Sequence, residues 1–392
     1  MSTLKVGAIR GTGASADALT VNATDGTCTI KATNNLSNRN LIINGAMQVA
    51  QRGTSSTDTG FQTLDRFAYY KAGTQTQSQA AIASATSGPY ASGFRKCYKV
   101  VNGSNTAGNT DAATFQYTIE DQDLACSGWN HTDPNSKLTL SFWARSSVAQ
   151  TFYFQIRTKH GTNQGYWSSY ALSANTWTKV TKTIPGYANI ELANDTGQGF
   201  NLSWNTYYGT DSTGSGGLAE NTWGAFAGGT STPDQTVTWQ NTNGATFELA
   251  GVQLEVGDYA SDFQHRSYDE ELSRCQRYYQ VIADTIYDPV MSGALFAGDM
   301  VHGTVPFHKP MRDEPSMVKA GGSNWLIFRY TYTGTTSNNY VDGDDFNLQQ
   351  VSKTSANVRC TSFDTGNNTT MGMGGVLYTQ HADALLAFSA EF

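Results

Sequence analysis

Few residues of this sequence have the types and spacing that catalysis requires. No GxSxG, HExxH or GxxxxGK(S/T) motif occurs, so the common serine-nucleophile, zinc-protease and phosphate-loop patterns are absent. Cleavage of a glycosidic bond needs a pair of carboxylates, and the acidic residues form two clusters, Glu120/Asp121/Asp123 and Asp342/Asp344/Asp345. No two histidines stand at a spacing that suits a metal site; the six are His131, His160, His265, His302, His308 and His381.

Both acidic clusters have a simpler interpretation than catalysis. The first follows a strand pattern. The second lies in VDGDDF (341–346), whose residue types are typical of a solvated turn. Alternatively, Asp342, Asp344 and Asp345 present oxygens to calcium, although their spacing is not that of an EF-hand loop. We therefore expect no enzymatic activity, no required cofactor and, at most, a structural calcium ion.

Residues suited to binding lie on two successive strand patterns, KLTLSFWAR (137–145) and QTFYFQIRT (150–158). Leu, Phe and Ile alternate along one face of each run, and the four residues between the runs predict a hairpin. The opposite face then carries a single group of polar and aromatic side chains: Trp143, Arg145, Tyr153, Gln155 and Arg157.

This group of side chains suits the recognition of sugars. Aromatic rings pack on apolar C–H faces, and arginine and glutamine donate planar hydrogen bonds to hydroxyls or acids. The alternative is that the Gly/Ser/Thr-rich loop 209–235, or a second sheet, covers Trp143 and Tyr153.

The composition indicates the elements that must position these residues. In 392 residues, only 15% are charged, 12% are aromatic and 39 are glycine, which favours strands joined by turns over helices or disorder. Strand patterns recur at 94–101, 113–119, 176–184, 199–207, 236–240 and 246–255. We predict an all-β protein whose residues 40–266 form a large β-sandwich or jelly roll.

Three further segments flank this sandwich. Residues 1–39 hold only short apolar alternations and are predicted to be an extended arm that needs a neighbour to bury them. Residues 267–284 are a linking helix, for which Ser267 and Glu270 form a capping box, with the helix itself over 267–282. Residues 285–392, with strand patterns at 302–307, 316–318, 325–332, 346–350, 358–363, 375–379 and 385–392, form a smaller C-terminal β-sandwich.

Charge and cysteine content exclude several classes of protein. The net charge is −7 and the isoelectric point about 5.3, so no nucleic-acid footprint is present. The sequence contains no run of about 18 apolar residues, so no membrane insertion is expected. The first 20 residues show no secretory signal. The five cysteines have no CxxC spacing, which favours free thiols and synthesis in a reducing host cytoplasm.

Several segments resemble a domain of bacteriophage virion proteins. NRNLIINGAMQVAQRGTS (38–55) and TLDRF (63–67) are similar to its opening, KLTLSFWARSS (137–147) to its central strand, and FELAGVQLEVGDYASDFQHRSYDEELSRCQRYYQ (247–280) to its close. MSTLKVGAIRGTGASADALT (1–20) is similar to N-termini of tail-fibre-like proteins of marine and cyanobacterial phages. VPFHKPMRDEPSMV (305–318) and ALLAFSAEF (384–392) resemble a terminal β domain that often follows.

Within these segments, the local patterns are architectural. Asn44-Gly45 is a tight-turn dipeptide, Asp65-Arg66 is a candidate ion pair at a strand start, and the alternation Val252/Leu254/Val256 predicts a buried last strand.

The resemblance implies a carbohydrate-binding-module-like jelly roll, a fold that often holds structural calcium, and a C-terminal domain similar to small trimeric lectins. Candidate glycan contacts in that domain are Trp325, Tyr330, Tyr332 and His381. It further implies a homotrimeric tail-fibre or appendage protein of the virion, docked to other virion proteins through residues 1–39 and binding host cell-surface polysaccharide. The alternatives are a non-binding capsid decoration or tail adaptor, and a polysaccharide depolymerase.

Overall fold

The computed structural model describes residues 7–10, 12, 19–21, 24, 28–30, 39–214, 216–297, 300–321, 325–330, 340–343, 345–361 and 371–392. Within the predicted arm, three short strands pair antiparallel: β1 (Ala8–Ile9), β2 (Leu19–Val21) and β3 (Cys28–Ile30). Most of the remaining arm lies outside the described residues. No helix among the described residues is long and apolar enough to cross a membrane.

The large domain is a sandwich of two six-stranded antiparallel sheets, which confirms the all-β fold class. Its strands are β4 (Ser55–Ser56), β5 (Phe67–Tyr70), β6 (Gln75–Ala81), β7 (Lys96–Asn102), β8 (Ala112–Glu120), β9 (Lys137–Ser146), β10 (Gln150–Thr158), β11 (Gln164–Leu172), β12 (Thr178–Pro185), β13 (Gln198–Tyr208), β14 (Gly224–Ala225) and β15 (Thr246–Val256). The front sheet has the order β14-β11-β10-β13-β8-β5, and the back sheet the order β12-β9-β15-β7-β6-β4.

Short helices connect these strands: α1 (Gly88–Ala91), α2 (Asp121–Ala125), a 3₁₀ turn (Gly228–Thr230) and α3 (Thr238–Asn241). The strand predicted at 236–240 is wrong, because this segment forms α3. Asn102 explains the difference, since its side-chain amide donates to the carbonyls of Trp239 (3.1 Å) and Gln240 (2.7 Å) and holds the turn against β7.

The core of the sandwich follows the predicted alternation. Alternate residues of each sheet point inward and are buried, as Phe154 and Trp204 are in the front sheet and Phe142 in the back sheet. The rings of Phe142 and Trp204 meet edge-to-face across the sandwich, with centroids 5.9 Å apart. The two sheets therefore share one aromatic-rich core, as aligned sandwiches do.

The predicted hairpin between the two central strands is wrong. β9 pairs with β12 and β15 in the back sheet, whereas β10 pairs with β11 and β13 in the front sheet. Sheets in a sandwich lie about 10 Å apart, a gap that a connection of four residues spans. Because strands of both sheets alternate in the same way, the sequence pattern does not distinguish a hairpin from this crossing.

The linking helix is shorter than predicted. α4 (Tyr268–Cys275) begins where expected, and the Ser267 side chain accepts a hydrogen bond from the Glu270 amide (3.3 Å). It ends at Cys275, and β16 (Tyr279–Ala283) pairs with a strand of the second domain. Cys275, at the end of the helix, is buried, whereas Tyr268, at its start, is exposed.

The second domain combines β16 with nine further strands: β17 (Pro289–Ala297), β18 (Met300–Pro306), β19 (Ser316–Ala320), β20 (Leu326–Tyr330), β21 (Tyr340–Gly343), β22 (Asp345–Val351), β23 (Ser355–Thr361), β24 (Gly374–Thr379) and β25 (Leu385–Ser389). Three strands pair in the order β16-β25-β19, and seven in the order β21-β20-β24-β17-β18-β23-β22. Leu386 and Phe388 of the smaller sheet pack with Phe328 and Val358 of the larger sheet in one core.

A cluster of charged and aromatic residues joins the two domains. The buried Arg66 guanidinium lies 3.4 Å from the Tyr278 ring centroid, donates to the Thr118 carbonyl (2.6 Å) and forms an ion pair with Glu391. Asp65 instead pairs with Arg52 (3.6 Å), so the predicted Asp65–Arg66 ion pair is wrong.

A second ion pair of the joint is formed by Glu120, which accepts hydrogen bonds from Arg277 Nε at 2.7 Å and Nη2 at 2.8 Å. These bonds and the hydroxyl of Tyr278 outweigh burial and lower the pKa of Glu120. The cluster therefore ties the start of the second domain to the end of β8.

Candidate functional site

The outward surface of the front sheet is rich in polar side chains. We call it the front face. It comprises the outward-pointing side chains of four adjacent strands, which are Thr114, Gln116, Thr118, Tyr153, Gln155, Arg157, Trp167, Ser169, Asn201, Ser203 and Asn205.

The strand register places these side chains in rows across the face. Gln155 lies between Trp167 of β11 and Ser203 of β13, and Ser203 faces Gln116 of β8. Arg157 lies opposite Asn201 in the next row. Directly opposed side chains on one sheet face are about 5 Å apart, so the row from Trp167 to Gln116 spans about 15 Å.

The loop 209–235 packs over one side of the front face, where it contacts Trp167 and Arg157. The alternative interpretation named Trp143 and Tyr153 instead, but Trp143 lies on the other sheet. The Trp167 indole donates to the Leu218 carbonyl (2.9 Å), and the Arg157 guanidinium lies 4.2 Å from the Phe226 ring centroid. A cavity of about 180 Å³ remains beneath the loop, lined by Gln155, Leu218 and Phe226 among others. Tyr153 and Arg157 stay half-buried at the margin of the loop.

Two phenols, Tyr153 of the front face and Tyr208 at the end of β13, are held neutral. Burial raises the pKa of Tyr153, and it also raises the pKa of Tyr208, whose hydroxyl lies near Thr114, Ser203 and Gln116. Both groups therefore act as hydrogen-bond donors or acceptors at neutral pH.

The same face contains buried donors that lack a partner. Gln155 is only 7% exposed, and its Nε2 makes no hydrogen bond within the described part of the chain. Asn205 is fully buried, and its Nδ2 is likewise unpaired among those residues. Buried polar groups are usually hydrogen-bonded, so these two donors mark a place where an acceptor belongs.

Trp143 and Arg145 do not belong to this surface, which corrects the prediction of one five-residue group. Because β9 lies in the back sheet, both residues point away from Tyr153, Gln155 and Arg157, on the opposite side of the sandwich. The assumed hairpin caused the error.

The outward surface of the back sheet, which we call the back face, is covered around Trp143 and Arg145 but exposed along β12. Trp143 packs with Phe94 and Phe263 at a cavity of about 290 Å³. Arg145 forms an ion pair with Glu248, and its guanidinium lies 5.2 Å from the Trp177 ring centroid.

The candidates of the second domain do not form a surface either. Trp325 (3% exposed) and Tyr330 (6% exposed) are part of the hydrophobic core, which corrects their assignment as glycan contacts. The Trp325 ring packs edge-on against Phe346, with centroids 5.2 Å apart. His381 is exposed in the turn before β25, and Tyr332 lies outside the described residues.

Two of the acidic candidates for calcium lie in strands. Asp342 is in β21 and Asp345 in β22, where Asp345 pairs with Lys319, so the solvated turn predicted for these two residues is wrong. Asp344 is outside the described residues. No three His, Cys, Asp or Glu side chains in the described ranges come close enough to hold a metal ion.

Sequence reasoning missed several front-face residues, although a signal for them was present. The strands at 113–119 and 199–207 were predicted, and their outward positions hold Gln116, Asn201 and Ser203. β11 was not predicted, because its stretch QGYWSSYAL mixes small and aromatic residues without a clear alternation. Trp167 was missed with it.

The comparisons with known proteins indicate a distant likeness of fold. No family model and no curated protein matches the chain. Among solved structures, a carbohydrate-binding module of family 16 is 11% identical, with a TM-score of 0.23 over 45% of this chain and 84% of the module. A putative sugar-binding protein from Bacteroides thetaiotaomicron is 11% identical, with a TM-score of 0.30 over 56% of this chain and 100% of that protein.

Two further likenesses involve much longer proteins. The enzymatically active domain of tailspike protein 4 from bacteriophage CBA120 is 12% identical, with a TM-score of 0.28 over 55% of this chain and 21% of that domain. An arabinose-bound arabinofuranosidase is 10% identical, with a TM-score of 0.31 over 56% of this chain and 26% of the enzyme. At these scores, the matches carry no argument about function, which depends on the site itself.

Proposed function

We propose that the protein is a glycan-binding structural component of a phage virion, of the tail-fibre or another appendage type, and that the front face is its binding surface. The observation that carries the glycan-binding part is the composition of that face. One sheet surface carries the half-buried ring of Tyr153, the half-buried amide of Asn201 and the unpaired donor of Gln155.

This combination supports recognition of a sugar by ordinary physical means. A half-buried aromatic ring offers an apolar surface for the C–H face of a sugar, and its hydroxyl remains neutral. Amide side chains offer both a donor and an acceptor, which matches the two roles of each sugar hydroxyl. The rigid strands hold these groups in fixed rows, so little side-chain freedom is lost on binding.

We propose a binding role without catalysis. Near the front face, Glu220 accepts hydrogen bonds from the Ser169 amide (2.8 Å) and hydroxyl (2.7 Å), and these contacts lower its pKa. A carboxylate held ionised in this way is poorly suited to donate the proton that glycoside cleavage needs. Glu120 is likewise engaged by Arg277, at the domain joint.

The virion location and a homotrimeric state are parts of the same proposal. Their support is the sequence resemblance to tail-fibre-like proteins, together with an arm whose strands of two or three residues are too short to bury a core alone. In the proposed assembly, the arm contacts other virion proteins, and three copies convert weak single-site binding into firm attachment to host surface polysaccharide.

Glycan-array and host-cell binding measurements on the full chain test this proposal. We expect binding to at least one envelope or capsule polysaccharide, reduced about tenfold in Tyr153→Ala because one stacking ring is lost. Absence of binding to every host polysaccharide would overturn the binding role and favour a decoration or adaptor protein. Release of reducing ends from a bound polysaccharide would instead favour a depolymerase.

A further inference from the structure

One end of the front face carries two neighbouring cations. Arg157 points outward from β10, and Lys159 follows two residues later on the same side, where its backbone amide continues the ladder by donating to the Gly199 carbonyl (2.9 Å). Residues two apart on a strand are about 7 Å from each other. Both side chains are half-buried, so bulk water screens their charges only in part.

Neither cation forms an ion pair within the described part of the chain. Most arginines of the sandwich differ in this respect, since Arg145 pairs with Glu248 and Arg66 with Glu391. Two cations held together without a counter-charge are unfavourable, and burial together with Arg157 lowers the pKa of Lys159.

Among the described residues, the Arg157 guanidinium is fixed by neutral contacts. With the Asn163 amide oriented so that its oxygen faces Arg157, that oxygen accepts from Nε (3.2 Å) and Nη2 (2.6 Å). The Phe226 ring lies on the guanidinium from the other side. These contacts hold the planar group in place and leave its positive charge uncompensated.

The adjacent cavity adds a second, independent observation. It is lined by Gln155, whose buried Nε2 has no hydrogen-bond partner among the described residues. Gln155 lies two residues before Arg157, so its amide and the two cations follow one another along the same side of β10. All three offer donors to whatever occupies this end of the face.

We propose that this end of the front face is a subsite for an anionic saccharide, a sugar unit bearing a carboxylate or a sulfate. The anionic group lies between Arg157 and Lys159, and a ring or hydroxyl oxygen of the same unit accepts from Gln155 Nε2. This inference rests on the proposed glycan-binding function and specifies its ligand class. The net charge of −7 repels polyanions in general, so attraction must come from this local site.

Matched polysaccharides and the full chain test the subsite. Calorimetry in EDTA compares polygalacturonate with its fully methyl-esterified form, and dextran sulfate with dextran, so that carboxylate and sulfate are examined separately. We expect one anionic polymer to bind at least tenfold more tightly than its neutral counterpart, because charge-assisted hydrogen bonds are the strongest available here.

Three variants test whether the preference for the anionic polymer arises at Arg157 and Lys159. Arg157→Gln and Lys159→Gln are each expected to reduce affinity for the anionic polymer about tenfold and to flatten its salt dependence. Lys179→Gln, an exposed lysine of β12 on the back face, is the matched control and should change affinity less than twofold. Circular dichroism confirms folding, and Lys159→Gln carries the test if Arg157→Gln fails to fold.

The outcomes separate the two proposals. Equal binding of the charged and neutral polymers would overturn the anionic subsite and leave the glycan-binding function standing. Equal losses in Lys179→Gln would show that the charge effect is not located at Arg157 and Lys159, and would overturn it as well. Binding to none of the four polymers, nor to any host polysaccharide, would overturn both.

Discussion

The two outer faces of the sandwich are formed by strands with the same alternation of inward and outward residues. They differ in whether the outward side chains find partners within the protein. On the back face, the two outward residues first considered for binding are engaged within the protein: Trp143 packs beside Phe94, and Arg145 pairs with Glu248. On the front face, Arg157 has no counter-charge among the described residues, and Gln155 keeps an unpaired donor. A face whose polar groups remain unsatisfied is the better candidate for binding, because an external partner can still satisfy them.

The largest expected effect concerns the packing of the back face. Gly251 in β15 has a φ of +58°, and a Cβ there would lie 2.5 Å from Cζ of Phe94. Alanine would combine backbone strain with overpacking, so Gly251→Ala should lower the free energy of unfolding by about 2–4 kcal/mol. Urea denaturation measures this loss.

Gly244→Ala is the control for this prediction. Gly244 also has a positive φ, +75°, but no atom of the described residues lies within 4 Å of the position that a Cβ would take there. Its replacement should cost only the backbone strain, about 1 kcal/mol. Equal losses in the two variants would contradict the view that Phe94 is packed tightly against the back sheet.

Two aromatic truncations test most directly whether the back face serves packing and the front face serves binding. Trp143→Ala should lower the free energy of unfolding by about 2 kcal/mol through lost packing and leave glycan affinity within about twofold. Tyr153→Ala should reduce affinity about tenfold and cost less than about 1 kcal/mol of stability. Calorimetry measures the glycan affinity of both variants, and urea denaturation measures their free energy of unfolding. A loss of affinity in Trp143→Ala would assign binding to the back face instead of the front face.

The sequence predicted the strands well and their arrangement poorly. The inward residues Phe142 and Phe154 were identified from alternation, since burial imposes a period of two on any half-buried strand. Their assignment to different sheets was not, because the pairing of β9 and β10 depends on long-range contacts that leave no local pattern. Hence Tyr153, Gln155 and Arg157 were correctly placed on one outward sheet face, but Trp143 and Arg145 were wrongly placed beside them.

The same limit explains the errors in the second domain. Trp325 and Tyr330 have residue types suited to glycans, yet they fill its core. Large aromatic residues serve packing and binding equally well, so residue type does not decide between the two. Lys159 was overlooked for the converse reason: only its position two residues after Arg157 gives it a role.

A smaller effect is expected from the charge cluster of the back face. Glu248→Gln keeps the volume of the buried side chain but removes its attraction for Arg145 and Lys99, both about one-third exposed. Partly exposed pairs contribute little, so the loss should be about 1 kcal/mol in thermal or urea denaturation. Glycan affinity should not change; a reduction would mean that the back face contributes to binding.

The smallest effect concerns the pH dependence of anionic-glycan binding. The pKa of Lys159 is lowered from its ordinary 10.5, so its charge is lost progressively as the pH rises toward that value. Because the anion prefers the charged form, affinity should fall about two- to fivefold between pH 8 and 10. The pKa of Tyr153 is raised by burial and by Glu220, so that phenol stays neutral over most of this range.

Lys159→Arg provides the control for the pH experiment. Arginine keeps its charge throughout this range, so the variant should bind with an affinity that is nearly constant from pH 8 to 10. A pH dependence that persists unchanged in this variant would assign the titration to another group.

The joint between the domains has a mechanical consequence. The second domain departs through β16 and returns through β25, which are neighbours in one sheet, and the rings of Tyr278 and Phe392 beside them lie 6.3 Å apart. A tensile load on the seven-stranded sheet therefore reaches the sandwich through two adjacent strands and the Arg66–Glu391 ion pair, rather than through a single backbone segment. The same contacts resist rotation of one domain relative to the other.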